Sequence, residues 1–251
     1  MMTNASPLAG KTALVTGAAR RLGRAVALAL AREGVHIMAH YHQSRDEAEA
    51  LALELRTTGV RVGTLSADLR DPEAAEELLP RAIEAAGEID FLVNNASIFP
   101  PGFLAHIDHN DLMENIAVNA WAPFVLSRAL AARERPARIV NLLDCRIVDF
   151  DHTHAAYHLS KRMLFTLTRM TALEFAPAVT VNAVAPGLVL PPEGESTDYL
   201  ERYADTNPLR RWGSPDDVAE AVLFLLRVEF ITGQVIFVDG GRHLRGSVYG
   251  L

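Results

Sequence analysis

The chain has 251 residues, 49% of them hydrophobic, enough to bury the core of one large α/β domain. Its formal net charge of −7, with no Lys/Arg-rich block, argues against a nucleic-acid or membrane-surface partner. One cysteine, Cys145, excludes an intrachain disulfide, and no apolar run reaches membrane-spanning length.

The opening MMTNASPLAG has neither a charged start nor an apolar core, so it does not read as a signal peptide. Residues 1–10 are expected to form a flexible N-terminus of a cytoplasmic protein. Lys11–Thr16 reads as a buried strand, Gly17–Gly23 as a turn, and Arg24–Glu33 as an Ala/Leu-rich helix ended by Gly34. Val35–Tyr41 is a second strand, and Asp46–Thr57 a helix with Ala48, Leu51, Ala52 and Leu55 at helical spacing. Val60–Ala67, Ile89–Asn94, Ala137–Leu143, Val179–Val184 and Val235–Val238 complete a set of seven strands. Between them lie helices over Pro72–Ala86, Asp111–Arg133, a segment through Tyr157 to about Phe175, and Pro215–Arg227. Gly187–Arg211, rich in Pro, Glu and Gly, reads as a mobile loop with a short helix. Alternating helices and apolar strands buried on both faces predict a Rossmann-type α/β fold. It is a single-domain, doubly wound parallel sheet with helices on both faces.

The first strand-to-helix turn, Thr16-Gly17-Ala18-Ala19-Arg20-Arg21-Leu22-Gly23, lies where such a fold meets a dinucleotide pyrophosphate. Gly17 permits the tight turn, Gly23 permits close helix–sheet packing, and Arg20 and Arg21 can fork onto phosphate. An NAD site usually ends its second strand on Asp or Glu for the ribose 2′-hydroxyl. Here the segment is His40-Tyr41-His42-Gln43-Ser44-Arg45, with no acid before Asp46, which points to a 2′-phosphate and so to NADP. The pairs His40/His42 and His152/His154 have no third ligand at recognisable spacing, so no metal is expected. Tyr157 and Lys161 are i and i+4 on one helix face, and an ammonium beside a phenol is expected to lower the tyrosine pKa toward proton exchange near neutral pH.

These residues resemble the short-chain dehydrogenase/reductase family over about Lys11 to Gly241. The markers are Thr16, Gly17 and Gly23, Asp68, Asn94-Asn95-Ala96, Asn119, Tyr157 and Lys161, Pro186-Gly187, and Val238-Asp239-Gly240-Gly241. The resemblance implies hydride transfer with Tyr157 as proton donor, Lys161 on the nicotinamide ribose, and Asn119 anchoring a water of the proton relay. It also implies Asp68 on adenine, Asn95 and Ala96 lining the cofactor cleft, Gly187–Arg211 covering the substrate, and a homotetramer. Two positions depart from the pattern: Arg21 stands where most members carry a third glycine, and Asp144 where most carry a serine. Both departures look like the pteridine reductase branch, as do His40-Tyr41-His42-Gln43-Ser44 and Asn94-Asn95-Ala96-Ser97-Ile98-Phe99.

That likeness implies NADPH reducing a pterin C=N bond, with Phe99 stacked on the pterin and Ser97 and Arg21 on pterin or phosphate. Asp144 and Tyr157 would supply the proton, with Leu188 at the substrate. Phe99 is equally readable as a loop-packing residue. The alternatives are an NADP-dependent carbonyl reductase or alcohol dehydrogenase of another substrate, and an NADP-binding sensor without turnover. The tail 242–251 is expected either at an oligomer contact or at a neighbour's active site.

Overall fold

The computed structural model describes residues 6–245. Seven parallel strands, β1 (Thr12–Val15), β2 (His36–Tyr41), β3 (Val62–Ser66), β4 (Phe91–Asn94), β5 (Ala137–Leu142), β6 (Val179–Pro186) and β7 (Val235–Val238), form one sheet in the order β3-β2-β1-β4-β5-β6-β7. The order reverses between β1 and β4, which makes their carboxyl ends the crevice of the fold. The central strands are short apolar runs because both of their faces are covered: every residue of β1 and β4 is buried.

The helices are α1 (Arg21–Arg32), α2 (Arg45–Arg56), α3 (Pro72–Ala86), α4 (His109–Ile116), α5 (Ala122–Ala131), α6 (Ala155–Glu174), α7 (Asp198–Tyr203) and α8 (Pro215–Arg227). Helices α1, α2 and α8 fill one face through Val26, Leu30, Leu51, Leu55, Val222 and Leu226. Helices α3 and α5 fill the other through Leu78, Leu79, Val125 and Leu126, and α6 packs beside them through Leu164. Helix starts follow from sequence: Asp71 and Ser214 each accept a backbone N–H of the first turn, with proline just inside both helices.

The structure corrects four expectations. Helix α1 begins at Arg21 rather than Arg24, which brings Leu22 and Gly23 into its first turn. The single helix expected over Asp111–Arg133 is divided into α4, a π-helical turn over Ala117–Trp121, and α5. Pro123 explains the break, because it has no N–H to give the carbonyl of Asn119 one turn earlier, and its ring crowds that carbonyl. The flexible start does not extend through residues 6–10: Leu8 is fully buried against α1 and β2, and Ser6 bonds Glu33. The 187–211 loop is anchored by Leu188, Val189 and Leu200, all buried. The tail expectation falls mostly on residues 246–251, outside the described region; Arg242–Leu244 forms a short 3-10 turn. Among the described residues no helix is long and apolar enough to cross a membrane.

Candidate active site

The carboxyl ends of β1, β4, β5 and β6 bring the sequence-singled residues to one edge. Thr16, buried at the end of β1, accepts the backbone N–H groups of Asn95 and Ala96 on its Oγ1, at 2.9 and 3.0 Å. Asn95 returns its side-chain amide to the carbonyls of Thr16 and Gly17, at 2.9 and 3.0 Å. Gly17 sits at φ +62°, and a Cβ on Gly23 would stand 2.2 Å from the Gly17 carbonyl. Both glycines are therefore demanded by the close approach of α1 to the turn. Arg20, the residue preceding α1, offers no side-chain cap, and no acid lies in the first turn. The leading N–H groups of α1 are thus left facing the crevice with two guanidinium groups beside them. Arg21 holds φ +53°, the left-handed conformation natural to the glycine it replaces.

Three residues expected from sequence at the cofactor have partners within the protein. His40 is buried, with Nδ1 accepting the Gly17 N–H and Nε2 beside the Ala67 carbonyl, so it faces the protein and not a phosphate. Arg20 pairs with Glu193 at 3.1 Å and Arg21 bonds the Pro191 carbonyl, so both arginines reach across the crevice to the 187–211 loop. Tyr41, His42 and Ser44 end β2 with partly open side chains, and Asp68 holds Arg70 with His42 3.5 Å away. Pro186 ends β6 in the sheet, and Gly187 presses on Asp239, where a Cβ would meet the Asp239 Cβ at 2.5 Å. Leu188 is buried, so its side chain offers no open surface to a substrate.

At the end of β5, Asp144 accepts the Tyr157 hydroxyl on Oδ2 at 2.9 Å and the Arg146 backbone N–H on Oδ1 at 2.8 Å. Tyr157 is 7% exposed. Burial, then the adjacent Asp144 charge, pushes its phenol well above the ordinary tyrosine value, the reverse of the lowering expected from the i+4 lysine. The reason is geometric. Lys161 donates to the Leu142 carbonyl at 2.8 Å, and its Nζ lies over the tyrosine ring, 5.7 Å from the centroid. Burial lowers Lys161 to about 8, against a smaller upward pull from Asp144. Cys145, buried next to Asp144, is pushed up by burial and is inert.

Asn119 lies in the π-helical turn, and its side chain is fully engaged. Oδ1 accepts Ser97 Oγ–H and the Ile98 N–H, while Nδ2 serves the Ile98 carbonyl and Ser160 Oγ. It braces the segment carrying Ser97, and its side-chain groups are committed within the protein.

Phe99 is 44% exposed rather than packed in the core. Its ring lies edge-on to Tyr157 at 4.5 Å and stacks on His154 at 3.8 Å with planes 10° apart. In the sequence His154 stands out only as half of an HxH pair. Asp151 holds it at 3.1 Å and also holds His158 at 3.2 Å. Burial acts to raise Asp151, but hydrogen bonds from His158, Thr153 and His154 outweigh it and keep the carboxyl far below the usual range. The spacing DHTHxxYH, with histidines three before and one after the tyrosine, was the available signal for this cluster. Among the described residues no three His, Cys, Asp or Glu side chains gather as metal ligands.

A glycine turn that cradles anions, a β2 end without an acid, and a buried Tyr–Asp–Lys cluster beside an open aromatic ring define a Rossmann-type oxidoreductase site. The residues present fit NADP. Comparison with known proteins agrees: the family described as enoyl-(acyl carrier protein) reductase matches residues 17–243. The 3-oxoacyl-[acyl-carrier-protein] reductase FabG of Staphylococcus epidermidis is 33% identical over 242 residues, 93% of this chain and 99% of that protein. Among solved structures, FolM alternative dihydrofolate reductase 1 from Brucella canis, complexed with NADP, superposes with a TM-score of 0.89. It is 33% identical, covering 94% of this chain and 95% of that one. A blue fluorescent protein from a metagenomic library, in complex with NADPH, gives 0.87 at 32% identity, covering 94% and 98%. The chain belongs to the short-chain dehydrogenase/reductase family.

The Arg21 geometry yields a test. Arg21→Gly relieves a left-handed side-chain residue, on the order of 1–2 kcal/mol, against glycine's entropic cost of about 0.5–1 kcal/mol. Folding stability in urea should therefore stay within about 1 kcal/mol, while loss of the guanidinium raises the NADPH dissociation constant severalfold. An unchanged dissociation constant, read by cofactor fluorescence, would remove Arg21 from the cofactor site.

Proposed function

We propose that the protein is an NADPH-dependent reductase of pterin type, delivering a hydride to a C=N bond of a pterin or dihydropterin. The observation that carries the reading is the carboxyl group of Asp144 on the Tyr157 hydroxyl, within reach of a half-exposed Phe99. A carboxylate at this position accepts N–H groups, which a flat, amino-substituted heterocycle supplies and a simple ketone does not. Phe99 gives such a ring a face to stack on. The likeness to the Brucella dihydrofolate reductase supports this reading. The likeness to the staphylococcal 3-oxoacyl reductase favours a second one, reduction of a ketone carbonyl on a thioester.

NADPH, when bound, supplies the hydride. The N–H groups at the start of α1 hold its phosphates, Arg20 and Arg21 exchange Glu193 and the Pro191 carbonyl for them, and Tyr41, His42 and Ser44 bind the 2′-phosphate side. Asp68, Asn95 and Ala96 line the adenine and ribose path, and Pro186 and Gly187 close its far edge. Tyr157, kept protonated by its raised pKa, gives its proton to the substrate nitrogen. The Lys161 ammonium stabilises the phenolate that forms, and Asp144 orients the phenol and holds the ring. Ser97 reaches substrate from the β4 side, and the 187–211 loop closes over it.

The substrate reading is tested with purified protein, NADPH and a panel of dihydrobiopterin, dihydrofolate, dihydromonapterin, quinones, aldehydes and a 3-oxoacyl thioester. Oxidation with the pterins is expected; oxidation only with carbonyl compounds transfers the reading to the second class. NADH binding more tightly than NADPH would refute the cofactor preference.

The pH profile follows from Lys161. Below about 8 it is cationic and supports the phenolate; above, it is neutral, so kcat for reduction should fall as pH rises through about 8. Asp144 holds Lys161 up, so Asp144→Asn moves that limb to lower pH and lowers kcat by about 10²–10⁴-fold. A limb that stays in place in the variant contradicts the coupling.

The assembly proposed is a homotetramer. Large apolar side chains are exposed on α4 (Met113), the π-helical turn (Trp121), α6 (Leu159, Met170, Leu173) and α8 with its exit (Phe224, Phe230), and subunit contacts over these helices would cover them. Light scattering should return four chain masses; a single chain mass would overturn it.

A further inference from the structure

Both ring nitrogens and the carbonyl of His40 are bonded at the crevice. Its Nδ1 accepts the Gly17 N–H at 3.1 Å, so the ring proton lies on Nε2, which donates to the Ala67 carbonyl at 3.1 Å. Its own carbonyl accepts the Ala18 N–H at 2.9 Å. One residue at the end of β2 thereby takes the first two peptide N–H groups of the β1–α1 turn and ties that turn to the exit of β3. The side chain is 2% exposed. The N–H groups of Gly17 and Ala18 are turned toward His40, which leaves an anion the later N–H groups of the turn and those of Arg21, Leu22 and Gly23, ahead of the first helical bond from Arg24 to Arg20.

We propose that His40 is a positioning residue for the cofactor: a neutral imidazole that clamps Gly17 and so aims the start of α1 at the dinucleotide phosphates. The proposal rests on dinucleotide binding alone and stands or falls independently of the pterin reading, because its test uses no substrate. The tautomer is the working part. Protonating Nδ1 removes the acceptor and sets two N–H donors against each other. The charged and titratable groups facing the ring are His42 beyond the end of β2 and Arg81 of α3, both disfavouring a second proton. Burial, followed by these charges and against the Ala67 hydrogen bond, lowers the imidazole to about 4. Because the folded value is depressed, the clamp is whole above about 6.5 and is lost as pH falls through about 4.

Two variants and a titration test this. His40→Leu removes both bonds at similar volume and should raise the NADP dissociation constant tenfold or more. His40→Asn keeps an acceptor where Nδ1 stood and should restore most of the affinity. Equal affinity in the Leu variant and the wild type, or equal losses in both variants, overturns the proposal. Should the Leu variant fail to fold, the titration decides. The wild-type-to-Asn ratio of NADP dissociation constants, in which the cofactor's own phosphate titration cancels, should climb severalfold from pH 6.5 to 3.5, nearly all of it below pH 5. A ratio flat across that range overturns the clamp.

Discussion

Strands β1 and β4 part at Thr16, and the fold has to satisfy the backbone groups that their separation leaves unpaired. It does so with Thr16 Oγ1, which takes the N–H groups of Asn95 and Ala96, and with the Asn95 amide, which takes the carbonyls of Thr16 and Gly17. A buried peptide group without a partner costs about 1–3 kcal/mol, so this reciprocal pair is what permits an open crevice in the middle of a buried sheet. Everything functional hangs on that opening. The glycine turn is held from one side by Asn95 and from the other by His40, and the β4 exit continues directly into Ser97 and Phe99.

A second polar chain runs behind it. Asn94 donates to Asn141, which donates to Thr168 on α6, so β4, β5 and the helix bearing Tyr157 and Lys161 are fixed to one another through the core. Asn119 joins the same system by bonding Ser160 on α6 and the Ile98 backbone at the mouth. The tyrosine, the aromatic platform and the glycine turn are therefore carried on elements that cannot slide independently. Preorganisation of this kind is what holds reacting groups near productive geometry.

The element order, the seven strands and the crevice were legible from apolar runs of strand length alternating with helical periodicity. The glycine turn, Asp144, Tyr157 and Lys161 were legible because motif spacing survives in the linear chain. What escaped were properties set by direction and burial. Whether His40 points at a phosphate or at Gly17 depends on which strand face it occupies. The Tyr157 shift depends first on burial and then on Asp144, thirteen residues earlier, lying against the phenol while the lysine one helical turn away bonds the Leu142 carbonyl. The division of the helix at Asn119 was encoded in Pro123, but a proline near a helix start and one that opens a π-turn look alike in sequence. His154 became visible only when the chain brought it against Phe99, since stacking has no sequence period.

The position of Asp144 bears on which chemistry the site tolerates. At about 4 Å and an effective dielectric of about 20, two unit charges interact by about 4 kcal/mol. A ketone accepting a hydride gathers negative charge on oxygen next to the Asp144 carboxylate, and a penalty of that order opposes it unless Lys161 or Tyr157 neutralises the oxygen at once. A cyclic amidine or guanidine-like ring reverses the sign, since its N–H groups turn the same carboxylate into an attraction before the hydride arrives. The raised phenol pKa does not obstruct that route, because a nitrogen that has lost its double bond is basic enough to take a proton from a weak acid. The serine found in most of the family leaves the first path open, and a carboxylate, held by Tyr157 and the Arg146 amide, favours the second.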